Sequence, residues 1–129
     1  MRRRGPAWAD RWLISSFTMS TIDHCRRIAP EIPTGFLVEA TTDEAIAAAA
    51  QRGHSAIHPQ ADAIDADGVA ACHAAGLKVN AWTCNEPARL RELAAFHVDG
   101  VCTDVPAVAL DAIGRTSEPV FNPSWGIPI

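Results

Sequence analysis

From Trp12 to Gly114, short apolar or β-branched runs alternate with alanine-rich stretches. This alternation constrains the fold more than any other feature of the chain, because strands separated by single helices pack as repeated βα units around a parallel sheet. "WLISSF" (Trp12 to Phe17), "TGFLVE" (Thr34 to Glu39), "SAIHP", "KVNAWT" and "GVCT" read as the strands. The intervening helices carry legible stops. Gly53, Gly76 and Gly114 suit the left-handed position after a helix, and Pro30 and Pro33 end the helix that "STIDHCRRIA" opens. Thr41 with Glu44 reads as a capping box, and Asp65, Asn85 and Asp104 each stand where a helix cap belongs. In the helix "EPARLRELAAF", Leu90, Leu93 and Ala94, followed by His97, share one face that should pack on the sheet.

A chain of 129 residues that is 48% hydrophobic has material for one ordinary core, so a single α/β domain is expected over residues 12–114. Residues 1–11 show no pattern. The tail from Arg115, with prolines at 119, 123 and 128, reads as irregular and docked through Phe121 and Trp125. The net charge of -4 offers no general attraction for nucleic acid, since "RRR" near the start is a short cluster. "WLISSF" is too short for a signal peptide or a membrane span, which leads us to expect a cytoplasmic protein. The widely spaced Cys25, Cys72, Cys84 and Cys102 are expected as reduced thiols filling apolar space.

In a parallel α/β protein, ligands gather at the carboxyl ends of the strands. Here those ends read "SSF", "LVE", "IHP", "AWTCN" and "CTDVP". Together with "RRIAPEIPTGFLVE" and "VDGVCTDVP", these motifs run in an order that resembles the C-terminal half of the glycerophosphodiester phosphodiesterases, from about Leu13 to Ile113. The resemblance implies a TIM barrel and metal-assisted cleavage of glycerophosphodiesters, in lipid metabolism, to an alcohol and glycerol 3-phosphate. Histidines would act as acid and base, and carboxylates would hold Ca²⁺ or Mg²⁺. It also places Phe17 and Trp82 as apolar substrate-binding walls at the mouth of the site.

The family's "HRG" segment, its acidic pair and its "HD" histidine are absent from this sequence. A TIM barrel takes about 250 residues, so the chain is close to half of one, and no catalytic or metal-binding residue is assigned to it. Three readings follow. The chain is an inactive fragment or part of a split enzyme that meets its missing N-terminal half-barrel; or it is a non-catalytic half-barrel, a homodimer that binds a polyol phosphate; or it is a small doubly wound regulatory domain.

The residue-level alternatives stay open as well. Trp82 also suits a core tryptophan, Asn85 and Asp104 are explained by capping, and His58 suits a local hydrogen bond before Pro59. Ser15 and Ser16 lack a nucleophile's glycine-flanked turn, and Glu39 is a single carboxylate. His24 with Cys25, and Cys72 with His73, diverge by about 100° on a helix and do not make a zinc site. His97 stands where a glycine would be gentler.

Overall fold

A computed structural model describes residues 11–114. The expected irregular ends, 1–11 and 115–129, lie outside the described residues apart from Arg11. Five strands alternate with five helices: β1 (Ile14–Ser16), α1 (Met19–Ile28), β2 (Thr34–Val38), α2 (Asp43–Gln51), β3 (Ala56–Pro59), α3 (Ala66–Ala74), β4 (Lys78–Ala81), α4 (Pro87–Ala95), β5 (Gly100–Val101) and α5 (Pro106–Ala112). A short 3₁₀ turn, Ala61–Ala63, which the sequence pattern did not reveal, links β3 to α3.

All four strand pairs are parallel, and the order in the sheet is β1-β2-β3-β4-β5. That order decides between the architectures. A doubly wound sheet reverses direction at a switch point, whereas this one adds each strand to the same edge, as a (β/α) barrel does. The regulatory-domain reading is thereby set aside, and the fold is a parallel α/β arc of the kind found in part of a TIM barrel.

Strand residues that point to the helices form the core. Ile57, Val79 and Ala81 meet Ile46 and Ala49 of α2, Val69 and Cys72 of α3, and Leu90 and Leu93 of α4, all within one buried cluster. Deleting side-chain bulk at such positions typically costs about 2–5 kcal/mol. No helix among the described residues is long and apolar enough to cross a membrane. All four cysteines are free: Cys72 and Cys84 are buried as expected, but Cys25 is half-buried and Cys102 is exposed.

Several caps sit one residue from their expected places. Thr42, not Thr41, caps α2, accepting from the Ala45 amide at 3.1 Å. Asp65 caps α3 as expected, with the Gly68 amide at 2.7 Å. Glu86 and Val105 occupy the cap positions of α4 and α5 without a side-chain bond, so neither Asn85 nor Asp104 is a helix cap. Pro106 lies at the start of α5, where its missing N–H costs nothing.

The ends of α2, α3 and α4 share one closure, in which the residue after the cap is left-handed. Gly53 has φ 79° and Gly76 has φ 82°, but the third position holds His97 at φ 68°. The Val98 amide still bonds the Leu93 carbonyl at 3.3 Å, completing the motif. His97 therefore belongs to the turn and is exposed, not part of the buried face of α4. A side chain held left-handed costs about 1 kcal/mol relative to glycine. His97→Gly is expected to raise the unfolding free energy by about that amount, read from urea denaturation midpoints. An unchanged midpoint would mean that the turn carries no strain.

Candidate functional site

Paired residues of parallel strands point to the same side, so the register identifies the concave face. Ser15 pairs with Gly35, Leu37 with His58, Asn80 with Gly100, and Gln60 bridges to Trp82. Reading along each strand at a period of two, the concave face carries Gly35 and Leu37 on β2, His58 on β3, Asn80 on β4 and Gly100 on β5.

These residues fit by size. A Cβ at Gly35 would lie 2.4 Å from His58 Nε2, and a Cβ at Gly100 would lie 2.6 Å from Asn80 Oδ1. The two glycines thus make room for the two larger side chains, which join at 3.0 Å between Asn80 Nδ2 and His58 Nε2. An amide nitrogen can only donate, so His58 Nε2 accepts and carries no proton. Burial pushes the His58 pKa down to about 4. His58 is therefore neutral at pH 7 and 7% exposed, and it is not poised as a general acid or base.

One layer above, at the carboxyl ends of the strands, the two expected wall residues meet. Phe17 follows β1 and Trp82 follows β4, yet their rings lie edge to face with centroids 5.8 Å apart and planes at 89°. Three strand spacings of about 4.8 Å separate their backbones. A sheet curled toward that face favours this approach of the two rings. Trp82 is held by its indole N–H, which donates to the His58 carbonyl at 2.8 Å, and by its amide, which donates to the Pro59 carbonyl at 3.0 Å. Phe17 remains 57% exposed, so the pair forms a wall open to solvent.

The other mouth residues have structural partners or stand apart. Asn85 ties the loop after β4 to the loop after β5: its Nδ2 donates to Asp104 Oδ2 at 3.0 Å, and its Oδ1 accepts from Thr103 Oγ1 at 3.0 Å and from the Asp104 amide at 2.8 Å. Ser16 Oγ accepts from the Thr18 amide at 3.0 Å, while Ser15 is exposed. Glu39 is exposed directly after β2.

These donors do not fit a hard divalent cation, which takes six or more oxygen ligands. Among the described residues no three His, Cys, Asp or Glu side chains converge. His24 bonds Arg27, with Nδ1 and Nη2 3.1 Å apart, and His73 pairs with Asp99 at 2.8 Å, so neither histidine acts with its neighbouring cysteine.

At the opposite end of the strands lies a cluster that the sequence pattern did not reveal. His54, just before β3, bonds Thr34 Oγ1 through Nδ1 at 2.6 Å and Asp23 Oδ1 through Nε2 at 2.8 Å. Acid, imidazole and hydroxyl stand in the order of a hydrolytic triad, but Thr34 is 1% exposed and no substrate can reach it. The cluster is a brace between α1, β2 and β3. Desolvation opposes ionisation of Asp23, but the His54 hydrogen bond and the Arg52 guanidinium outweigh it and hold the carboxyl below its usual range.

The arc is thus a portion of a (β/α)-barrel protein with an aromatic pair at the carboxyl ends of its strands. The sequence profile of the glycerophosphoryl diester phosphodiesterase family matches residues 2–108. The chain belongs to that family. No curated protein matches it.

Among solved structures, it is similar to a Silicibacter pomeroyi protein assigned as a glycerophosphoryl diester phosphodiesterase, at 30% identity and TM-score 0.68, covering 81% of this chain and 39% of that one. An Oleispira antarctica phosphodiesterase, solved in complex with the product sn-glycerol-3-phosphate, matches at 28% identity and TM-score 0.73, covering 78% and 41%. A glycerophosphodiester phosphodiesterase from Parabacteroides distasonis, at 22% identity, shares the fold with TM-score 0.70 over 80% and 43%. The chain spans about two fifths of the length of these structures.

The depressed His58 pKa fixes a pH dependence. Between pH 6.5 and about 4 the unfolded chain binds a proton at His58 that the folded chain does not, so stability falls as pH falls through that window. The full effect is bounded at about 3 kcal/mol. His58→Gln is expected to flatten the slope of unfolding free energy against pH between 6.5 and 4, measured by urea titration at several pH values. A slope equal to that of the parent would place the titration elsewhere.

Proposed function

We propose that this chain supplies the wall facing the alcohol or glycerol part of the substrate in a barrel that hydrolyses glycerophosphodiesters, and that it does not catalyse the reaction by itself. The single observation that carries this reading is the Phe17–Trp82 wall at the carboxyl ends of the strands, where among the described residues no group of three metal-ligating side chains forms. An edge-to-face aromatic pair offers an apolar surface to a glycerol backbone or an alkyl alcohol. Hydrolysis also needs a proton for the leaving alkoxide and a cation for the phosphoryl oxygens. Neutral, enclosed His58 does not provide the first, and isolated Glu39 does not provide the second.

In this reading the acid, the base and the Ca²⁺ or Mg²⁺ ligands come from strands outside the arc, supplied by the other half of a barrel. Among the described residues β1 and β5 are each paired on one side only, which supports it, since an unpaired parallel edge invites the strand that closes the barrel. A second copy of the chain is the competing way to cover these edges. Four free thiols support a reducing, cytoplasmic setting.

The test is release of glycerol 3-phosphate from glycerophosphodiesters by the folded 129-residue chain, with Ca²⁺, with Mg²⁺ and with chelator. No product is expected under any of the three conditions. Metal-dependent product that Trp82→Ala abolishes would overturn the non-catalytic reading, and Glu39 and His58 would then be the first residues to replace.

A further inference from the structure

The strongest unassigned feature lies at the foot of the barrel arc, away from the aromatic wall. α1 starts beyond the carboxyl end of β1 and runs back to feed the start of β2, so its last turn, like the end of α2, sits at the amino-terminal ends of the strands. There a cavity of about 360 Å³ is lined by Asp23, Arg26, Arg27 and Arg52.

Three guanidinium groups face one carboxylate, and that carboxylate is already committed. Asp23 Oδ2 accepts from Arg52, and Oδ1 bonds His54. Neither Arg26 nor Arg27 meets a carboxylate among the described residues, where the ion pairs are Arg52–Asp23, His54–Asp23, His73–Asp99 and Arg89–Glu92.

The cavity also has a fixed side. A Cβ at Gly53 would meet Arg26 Nη2 at 2.8 Å, so the Arg26 guanidinium lies against bare backbone, at a residue whose φ of 79° already favours glycine. Arg27 is steadied through His24. The negative end of the α1 dipole explains why a basic residue is favoured in its last turn. It does not explain why the ends of two helices bring three arginines to one concavity with a surplus of two positive charges, in a chain whose net charge is -4.

We infer that this cavity is an anion site for a small phosphomonoester dianion. Guanidinium forks match phosphate oxygens in pairs, and the two guanidinium charges that meet no carboxylate among the described residues match the charge of a dianion. The volume falls at the lower end of the range for small-molecule sites, roughly 300–1,000 Å³. It leaves room for a compact organic body beside the phosphate. The inference is independent of the reading of the mouth, because it uses neither Phe17 nor Trp82.

Inorganic phosphate is the probe, titrated at constant ionic strength against chloride and followed through the arginine Nε–H resonances of the intact chain. Saturable shifts at Arg26 and Arg27 are expected. The Arg26→Gln, Arg27→Gln double variant, checked for folding by circular dichroism, should weaken binding at least tenfold, while Trp82→Ala leaves it unchanged. Three results would overturn the proposal: equal shifts with phosphate and chloride, no shift at either arginine, or binding lost in Trp82→Ala and retained in the double variant. Because the resonances are read in the parent protein, the test stands even if the double variant fails to fold.

Discussion

The concave face of this sheet depends on one steric arrangement, in which glycines on β2 and β5 stand beside a histidine and an asparagine on β3 and β4. The Cβ positions that Gly35 and Gly100 lack are taken up by His58 and Asn80, each at a separation that a real side chain would not tolerate. Filling those gaps lets the side chains of a curled sheet converge without collision, and the His58–Asn80 hydrogen bond satisfies two polar groups that burial would otherwise penalise. Trp82 then rests on the layer beneath it, through the bond from its indole to the His58 carbonyl. The aromatic wall therefore stands above the layer in which His58 and Asn80 fill the glycine gaps.

Strand order divides the molecule in a second way. Because each strand is added to the same edge, the helices cover one face, where the apolar cluster of Ile57, Val79, Leu90 and Leu93 is buried, and the other face is left for polar and aromatic groups. The two ends of the strands also differ in chemistry. The carboxyl ends carry the wall and the Asn85–Asp104 tie, while the amino ends carry the Asp23–His54–Thr34 brace and the arginine cavity. The brace shows why the order of groups alone does not define a catalytic triad: a hydroxyl sealed in the interior positions helices and strands, and reacts with nothing.

Much of the fold was legible because its signals are local. Gly53, Gly76 and Gly114 each end a helix at positive φ, and the alternation of strand and helix gave the five parallel strands. Caps were harder to read. Thr41 and Thr42 are chemically equivalent candidates, and the one that does not cap is released to other neighbours, so Thr41 Oγ1 lies where a Cβ at Gly68 would approach to 2.9 Å. Asn85 and Asp104 have the chemistry of caps, but they spend it on each other across 19 residues of sequence, a partnership with no periodic trace. His54 was illegible for the same reason, since its partners lie 20 and 31 residues away. Asn80 left a usable signal: a polar residue inside a strand, two places before Trp82, marks the face that is not packed on helices.

The glycine gap at Gly35 is where the account is most exposed to contradiction. Gly35 does not have a positive φ, so alanine can adopt its backbone conformation, and in open space Gly→Ala within a strand would stabilise the fold by about 0.5–1 kcal/mol. Here the added methyl must displace a buried imidazole from its bond with Asn80. The decisive measurement is the unfolding free energy of Gly35→Ala at pH 7, where a loss of about 1–3 kcal/mol is predicted. A stability equal to or above that of the parent would mean that His58 does not fill the gap, and the packed concave face described above would be wrong.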